Sequence, residues 1–104
     1  FVTQALQQAS LSNETWHAIG HCVGSLHARG VQHADLNAHN LLVGANNDIY
    51  AVDFDRGRIR ARGAWERAVL ARLQRSLRKV TTDLPAGRFT EAHWQALLAG
   101  AGAG

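Results

Sequence analysis

The sequence has 104 residues, 46% of them apolar, which suits one small domain with a packed core. Cys22 is its single cysteine, so an internal disulfide and a multi-cysteine zinc site are excluded, and no apolar run reaches the roughly 18 residues that span a bilayer. The net charge is +3, and nine of the eleven basic residues lie between positions 56 and 79, a block that favours an anionic partner such as phosphate, an acidic sugar, a membrane surface or nucleic acid.

The first predicted element is a helix over about residues 13–29. Ser12 can cap its N-terminus, and Gly30 is placed to end it. The segment has one apolar stripe, because intervals of three and four residues separate Trp16, Ile19, Val23 and Leu26.

Two short apolar runs then predict a small β-hairpin. They are LLV at positions 41–43 and IYAV at positions 49–52, and they flank the Gly/Asn-rich turn GANND.

Two further helices are predicted near the end of the chain. One covers about residues 64–79, with its arginines outward and its inward residues at Val69, Leu70, Leu73, Leu77 and Val80. The other starts at Thr90, where Phe89 and Trp94 have the spacing of a hydrophobic staple. Residues 100–104 are expected to fray.

The stretch HADLNAHN, at positions 33–40, lies between the first helix and the hairpin. Its pattern, His-x-Asp-Leu-x-x-x-Asn, matches the catalytic-loop signature of the protein-kinase-like fold. Asp53 follows 13 residues after Asn40, at the end of the second apolar run, where that fold has its metal-binding aspartate. Two motifs at this spacing on these elements predict a phosphotransferase, whereas a turn with side-chain caps would explain only the first motif.

Enzymes catalyse phosphoryl transfer mainly by positioning the substrates and neutralising the charge on the phosphates, with little covalent catalysis. The residue types in these motifs can do both. Asp35 would accept the proton of the substrate hydroxyl. Asn40 and Asp53 would offer oxygen ligands to Mg²⁺ that bridges the phosphates of ATP. His33 would brace the catalytic loop by hydrogen bonds.

Departures from the protein-kinase pattern favour a small-molecule or glycolipid kinase. Ala34 stands where an arginine would pair with a phosphorylated loop, and no Ser, Thr or Tyr lies between Asp53 and Gln74 to be phosphorylated. The glycine expected in the metal-binding turn is Asp55, and no Ala-Pro-Glu follows.

HADLNAHN, YAVDFDRGR and the arginine-rich LARLQRSLRK together resemble the 3-deoxy-D-manno-octulosonic acid (Kdo) kinases, the lipopolysaccharide-core kinases of Gram-negative bacteria. The resemblance covers roughly residues 13–80, and DFDRGR is its most specific part. It implies ATP- and Mg²⁺-dependent phosphorylation of a hydroxyl of the Kdo attached to lipid A, by a peripheral protein at the cytoplasmic face of the inner membrane. Within that interpretation Arg56 and Arg58 are the expected ligands of the sugar carboxylate or the lipid phosphates.

The expected fold class is α+β: a mostly helical C-terminal lobe of a protein-kinase-like domain, spanning residues 1–104, with the hairpin next to the catalytic loop. The sequence contains no glycine-rich loop, and Lys79 is its single lysine, so the N-terminal lobe that supplies both is expected outside this chain. We therefore expect these residues alone to be inactive. A pseudokinase is the other explanation, but Asp35, Asn40 and Asp53 are all present.

Two alternatives remain open from the residues. An aminoglycoside-type phosphotransferase shares the Asp-plus-Asn loop, although DFDRGR favours the Kdo kinases. A basic nucleic-acid-binding module would rest on RGRIRARG, whose alternating arginines an extended segment would align on one side. That module leaves the spaced Asp35, Asn40 and Asp53 unexplained, so no nucleic-acid partner is expected.

Overall fold

The computed structural model describes residues 1–33, 35–52, 58–59 and 61–102. These residues form four helices and two short antiparallel strand pairs, in agreement with the predicted mixture of α and β structure. In chain order the elements are α1 (Val2–Gln8), α2 (Asn13–Ala28), β1 (Val31–Gln32), β2 (Leu41–Val43), β3 (Ile49–Ala51), β4 (Arg58–Ile59), α3 (Trp65–Thr81) and α4 (Glu91–Ala101).

The long helix α2 begins and ends where the sequence predicts. The hydroxyl of Ser12 accepts a 3.2 Å hydrogen bond from the backbone N–H of Thr15, which satisfies one of the free donors of the first turn. Gly30 follows the helix with φ of 73°, a left-handed conformation that glycine adopts without strain.

Helices α2 and α4 pack with their backbones in direct contact. A Cβ atom on Gly20 would overlap the carbonyl oxygen of Leu97, and one on Gly24 would come within 2.7 Å of the carbonyl oxygen of Ala101. From the other side, a Cβ on Gly100 would overlap the carbonyl oxygen of His17. Glycines on both helices therefore set this close approach.

The predicted hairpin is confirmed as β2 and β3. Leu41 pairs with Ala51 and Val43 with Ile49. In the turn, Asn46 and Asn47 have φ of 57° and 59°, a region that asparagine tolerates better than most residues. The hydroxyl of Thr15 donates a 2.6 Å hydrogen bond to Oδ1 of Asn47, which fixes the turn against α2.

Helix α1 and the strand pair of β1 with β4 were not predicted. Each strand has two residues, with Val31 opposite Ile59 and Gln32 opposite Arg58, which is too short for a periodic signal. Helix α1 has seven residues and buries Val2 and Leu6 fully.

The two later helices are confirmed, with small shifts at their ends. The N-cap of α4 is Thr90, and the rings of Phe89 and Trp94 lie 6.2 Å apart edge to face, as the hydrophobic staple requires. Helix α4 continues through Gly100 to Ala101, so it ends later than predicted, because Gly100 packs against α2. Residues 103 and 104 lie outside the described residues.

The four helices and the hairpin enclose one hydrophobic core. Its fully buried members come from α1, α2, the catalytic-loop segment, β2, α3 and α4, and the largest are Trp16, Leu6, Ile19, Leu36, Leu41, Leu73, Leu77 and Leu97. Leu36, inside the HADLNAHN stretch, anchors that loop to the core. Among the described residues, no helix has the length and apolar character that crossing a bilayer requires.

Candidate functional site

His33 is buried directly after β1, with 3% of its surface exposed, and it connects two segments of the predicted site. Its Nε2 lies 2.8 Å from the carbonyl oxygen of Val52. Its Nδ1 accepts a 3.3 Å hydrogen bond from the backbone N–H of Asp35. These contacts fit the neutral tautomer with the proton on Nε2, in which His33 braces the loop.

Asp35 presents a half-exposed carboxylate at the start of the loop, with 49% of its side chain accessible. Its backbone carbonyl accepts a 2.9 Å hydrogen bond from Nδ2 of Asn37, so the local backbone is held by its neighbours. A carboxylate in this position can accept a proton from a solvent-borne hydroxyl group.

Asn40 ends the short 3₁₀ turn Ala38–Asn40 and is mostly buried, at 8% exposure. Its Oδ1 accepts a 3.1 Å hydrogen bond from the backbone N–H of Asn37, while Oδ1 of Asn37 accepts one of 2.7 Å from His39. The side chains at the two ends of the turn thus each accept a hydrogen bond from a backbone N–H of this segment.

The backbone of Val52 joins the two predicted motifs. Its N–H donates a 2.9 Å hydrogen bond to the carbonyl oxygen of Asn40, and its carbonyl oxygen is the partner of His33. Val52 is the residue before Asp53, the predicted metal ligand. The catalytic loop and the end of the hairpin are therefore held together by two hydrogen bonds to the backbone of Val52, one from the His33 ring and one to the Asn40 carbonyl.

Of the other predicted site residues, Arg58 is described in the structure. Arg58 lies on β4, exposed to solvent and opposite Gln32. Asp53 and Arg56 lie outside the described residues.

Helix α3 contributes two site residues that the sequence analysis missed. Nη1 of Arg72 lies 3.2 Å from Oδ1 of Asp35. The hydroxyl of Ser76 accepts a 2.6 Å hydrogen bond from the backbone N–H of Ala38. The one sequence signal is that both residues are polar and four positions apart, so they share a helix face; nothing in the sequence indicates their partners.

The donor atoms fit a hard cation such as Mg²⁺. Oδ1 of Asn40 accepts one hydrogen bond and keeps a second lone pair that a cation can use. Among the residues that the structure describes, no group of three or more His, Cys, Asp or Glu side chains could hold a metal ion. A site with only one or two protein oxygen ligands is typical of Mg²⁺ that is held jointly by the protein and by substrate phosphates.

Comparison with known families gives a match over nearly the whole chain. The model of the lipopolysaccharide kinase (Kdo/WaaP) family matches residues 2–100. No solved structure matches.

Several curated proteins named 3-deoxy-D-manno-octulosonic acid kinase are similar to this chain. The protein of Pasteurella multocida is 40% identical over 102 residues, which cover 95% of this chain and 42% of the relative. That of Photobacterium profundum is 39% identical, over 91% of this chain and 40% of the relative. That of Xylella fastidiosa is 45% identical over 71 residues, 66% of this chain and 28% of the relative. The chain thus spans about two fifths of the length of the first two relatives.

Proposed function

The chain belongs to the lipopolysaccharide kinase (Kdo/WaaP) family, and from this premise we propose that the full-length protein transfers phosphate from ATP to a hydroxyl of Kdo on lipid A. The names of the relatives support Kdo as the acceptor sugar. Transfer to this acceptor would be a step in building the lipopolysaccharide core.

The observation that supports this function most directly is the backbone bonding of Val52. One residue bonds to His33 and to Asn40, at opposite ends of the HADLNAHN stretch, and it precedes Asp53 in the sequence. Loop, hairpin and the start of the predicted metal turn occur in the order typical of the C-terminal lobe of a protein-kinase-like fold. We therefore assign this chain to such a lobe.

Each residue then has a defined role. The Asp35 carboxylate orients the acceptor hydroxyl and takes its proton. His33 is a positioning residue that holds the backbone of Asp35 in register with Val52. Asn40 and Asp53 would hold Mg²⁺, which neutralises charge on the transferred phosphate when it is bound.

The proposed setting follows from the substrate. Kdo on lipid A is a glycolipid of Gram-negative bacteria, so the enzyme would act as a peripheral protein at the cytoplasmic face of the inner membrane. The exposed basic side chains of α3 suit an anionic surface; they are Arg67, Arg72, Arg75, Arg78 and Lys79.

The deciding experiment incubates the full-length protein with MgATP and lipid A that carries one Kdo, and measures the mass of the glycolipid. We expect a gain equal to one phosphate, and we expect Asp35→Asn to cut the rate by ~10²–10⁴ while the protein stays folded. Phosphorylation of some other hydroxylated acceptor, but not of this glycolipid, would keep the site and overturn the substrate.

A further inference from the structure

A groove lies beside Asp35, between β1 and α3. It has a volume of about 280 Å³ and is lined by Gln32, Ala68, Val69, Arg72 and Arg75. Binding sites for drug-sized ligands start at roughly 300 Å³. The groove is therefore large enough for one acidic group with part of its sugar, and too small for a whole glycolipid.

The charge of this groove is positive. Its described lining contains two arginines and no carboxylate. Arg72 and Arg75 are three residues apart on α3, so they face the same side of the helix, and both are exposed. Two guanidinium groups at this spacing can donate hydrogen bonds to one oxyanion that lies between them.

The groove is joined directly to the predicted catalytic group. The guanidinium of Arg72 reaches Oδ1 of Asp35 through Nη1, at 3.2 Å. A guanidinium is planar and has five N–H donors, so it can bond to Asp35 along one edge and to a second oxyanion along another. An oxyanion bound to Arg72 would therefore be separated from Asp35 by this one guanidinium group.

A third arginine lies on the strand that pairs with β1. The strand register places Arg58 opposite Gln32, and directly opposite residues of an antiparallel pair project from the same face of the sheet. Gln32 itself lines the groove. Two arginines of α3 thus line the depression, and Arg58, on the strand paired with β1, adds positive charge nearby without being one of its described lining residues.

We propose that this groove binds an oxyanion of the acceptor, with Arg75 and Arg72 as its ligands, and that the oxyanion is the carboxylate of the acidic sugar. This proposal rests on the function proposed above and names the site that sets acceptor specificity. Holding the carboxylate on Arg75 and Arg72 turns a hydroxyl of the same sugar toward Asp35. A phosphate of the lipid is the other source of the same chemistry.

The test measures KM and kcat of the full-length protein for the Kdo glycolipid and for ATP, with wild type and Arg75→Gln. Arg75 is exposed on a helix and glutamine is a good helix former, so the variant should fold. We expect its acceptor KM to rise about tenfold to a hundredfold, the usual effect of losing a charge-assisted hydrogen bond. The KM for ATP should not change, and Arg75→Lys should recover part of the loss.

Two modified acceptors identify the oxyanion. One has the Kdo carboxylate converted to a carboxamide, and the other has its lipid phosphates removed. We expect the carboxamide to raise the acceptor KM of the wild type by about the same factor by which Arg75→Gln raises the KM for the natural acceptor. The KM of Arg75→Gln should not rise further on the carboxamide. The same pattern on the dephosphorylated lipid instead would support the groove and assign it to a lipid phosphate.

Arg29→Gln is the control, because Arg29 is exposed at the end of α2 and belongs neither to the groove lining nor to the basic side chains of α3. An unchanged acceptor KM in Arg75→Gln, an equal change in Arg29→Gln, or a change confined to ATP would each overturn the groove proposal while the function stands. Failure of the wild type to phosphorylate the glycolipid would overturn the function, and the groove proposal with it.

Discussion

The hydroxyl of Ser76 accepts a 2.6 Å hydrogen bond from the backbone N–H of Ala38. Ala38 is fully buried in the middle of the HADLNAHN stretch, and Ser76 lies on α3, 38 residues away. One turn earlier on the same helix, Arg72 contacts Asp35. The arginine-rich helix is thus joined to the catalytic loop at two points.

Ser76→Ala should therefore weaken both stability and catalysis. It leaves the buried N–H of Ala38 without its acceptor, which costs ~1–3 kcal/mol in the free energy of unfolding. It also loosens the loop, so kcat should fall. Urea unfolding and steady-state kinetics of the full-length protein measure the two effects.

Ser25→Ala is the matched control for this change. Ser25 is half-buried on α2, and its side chain makes no hydrogen bond among the described residues. Its loss should change stability by no more than about 0.5 kcal/mol. Equal effects of the two substitutions would contradict a specific role for Ser76.

The close contact of α2 and α4 predicts that Gly20→Ala is destabilising. Alanine favours a helix over glycine by up to about 1 kcal/mol, but its Cβ would overlap the carbonyl oxygen of Leu97. A backbone atom yields only if α4 shifts, and overpacking of this kind costs ~1–3 kcal/mol or more. The clash therefore exceeds the propensity gain.

Thermal unfolding of Gly20→Ala and Gly63→Ala tests this prediction. At Gly63 the nearest atom to a new Cβ would be Cδ1 of Trp65 at 3.7 Å, an ordinary contact. Only Gly20→Ala should lower the melting temperature clearly. A neutral Gly20→Ala would mean that the two helices are not in backbone contact.

Comparison of sequence and structure shows where local pattern suffices. Helices α2, α3 and α4 follow from apolar periodicity and from caps such as Ser12 and Thr90, because both signals lie within one element. The hairpin follows from two apolar runs around a turn. The motif also predicts site roles for His33, Asp35 and Asn40, which stay predictions; the structure shows that His33 and Asn40 both bond to Val52.

The features that the sequence did not predict depend on distant partners. Arg72 and Ser76 meet residues 37 and 38 positions away, and their own neighbours on α3 indicate only an exposed or half-exposed face. The spacing of Gly20 and Gly24 indicates that α2 can be approached closely, but it does not say by which helix. Two-residue strands such as β1 and β4 have no period that could be recognised.

The stability of the protein should fall as the pH is lowered from about 7.5 to about 5.5. His27 is buried against the edge of Trp65, with ring centroids 5.0 Å apart. Burial lowers the pKa of His27 below its usual 6.5; the Glu66 carboxylate opposes this, and the Arg62 guanidinium adds to it. Burial lowers the pKa of His93 as well.

The sign follows from proton binding. The unfolded chain protonates these histidines as the pH falls through about 6.5, while the folded protein keeps them neutral to lower pH, so acid favours unfolding. Glu66 does not contribute in this range, because its hydrogen bond from Arg62 holds its pKa below the usual 4.5. Its stabilisation is lost only at still lower pH.

His27→Gln should flatten this dependence. Urea midpoints measured across the pH range give the slope of stability against pH. This slope is the quantity to compare, because the substitution also removes a packed ring and so lowers the stability at every pH. A slope remaining in the variant is assigned to His93. His21→Gln, at a solvent-exposed position of α2, is the control. If His27→Gln kept the full slope of the wild type, another group would control the acid sensitivity.

His33→Leu should reduce kcat without moving the pH profile of the reaction. The substitution removes the ring that bonds to the backbones of both Asp35 and Val52, so these segments lose their fixed register. The half-buried Val52 carbonyl and Asp35 N–H would lose their partner, at a cost of at most about 1–3 kcal/mol each in stability, and a small displacement of Asp35 costs on the order of 10²-fold in rate. Loss of a residue that exchanged protons with the substrate would instead remove one limb of the pH–rate curve.

The measurement is kcat against pH for wild type, His33→Leu and His21→Gln. A parallel, lowered curve identifies His33 as a positioning residue, and a lost limb would make it a proton carrier.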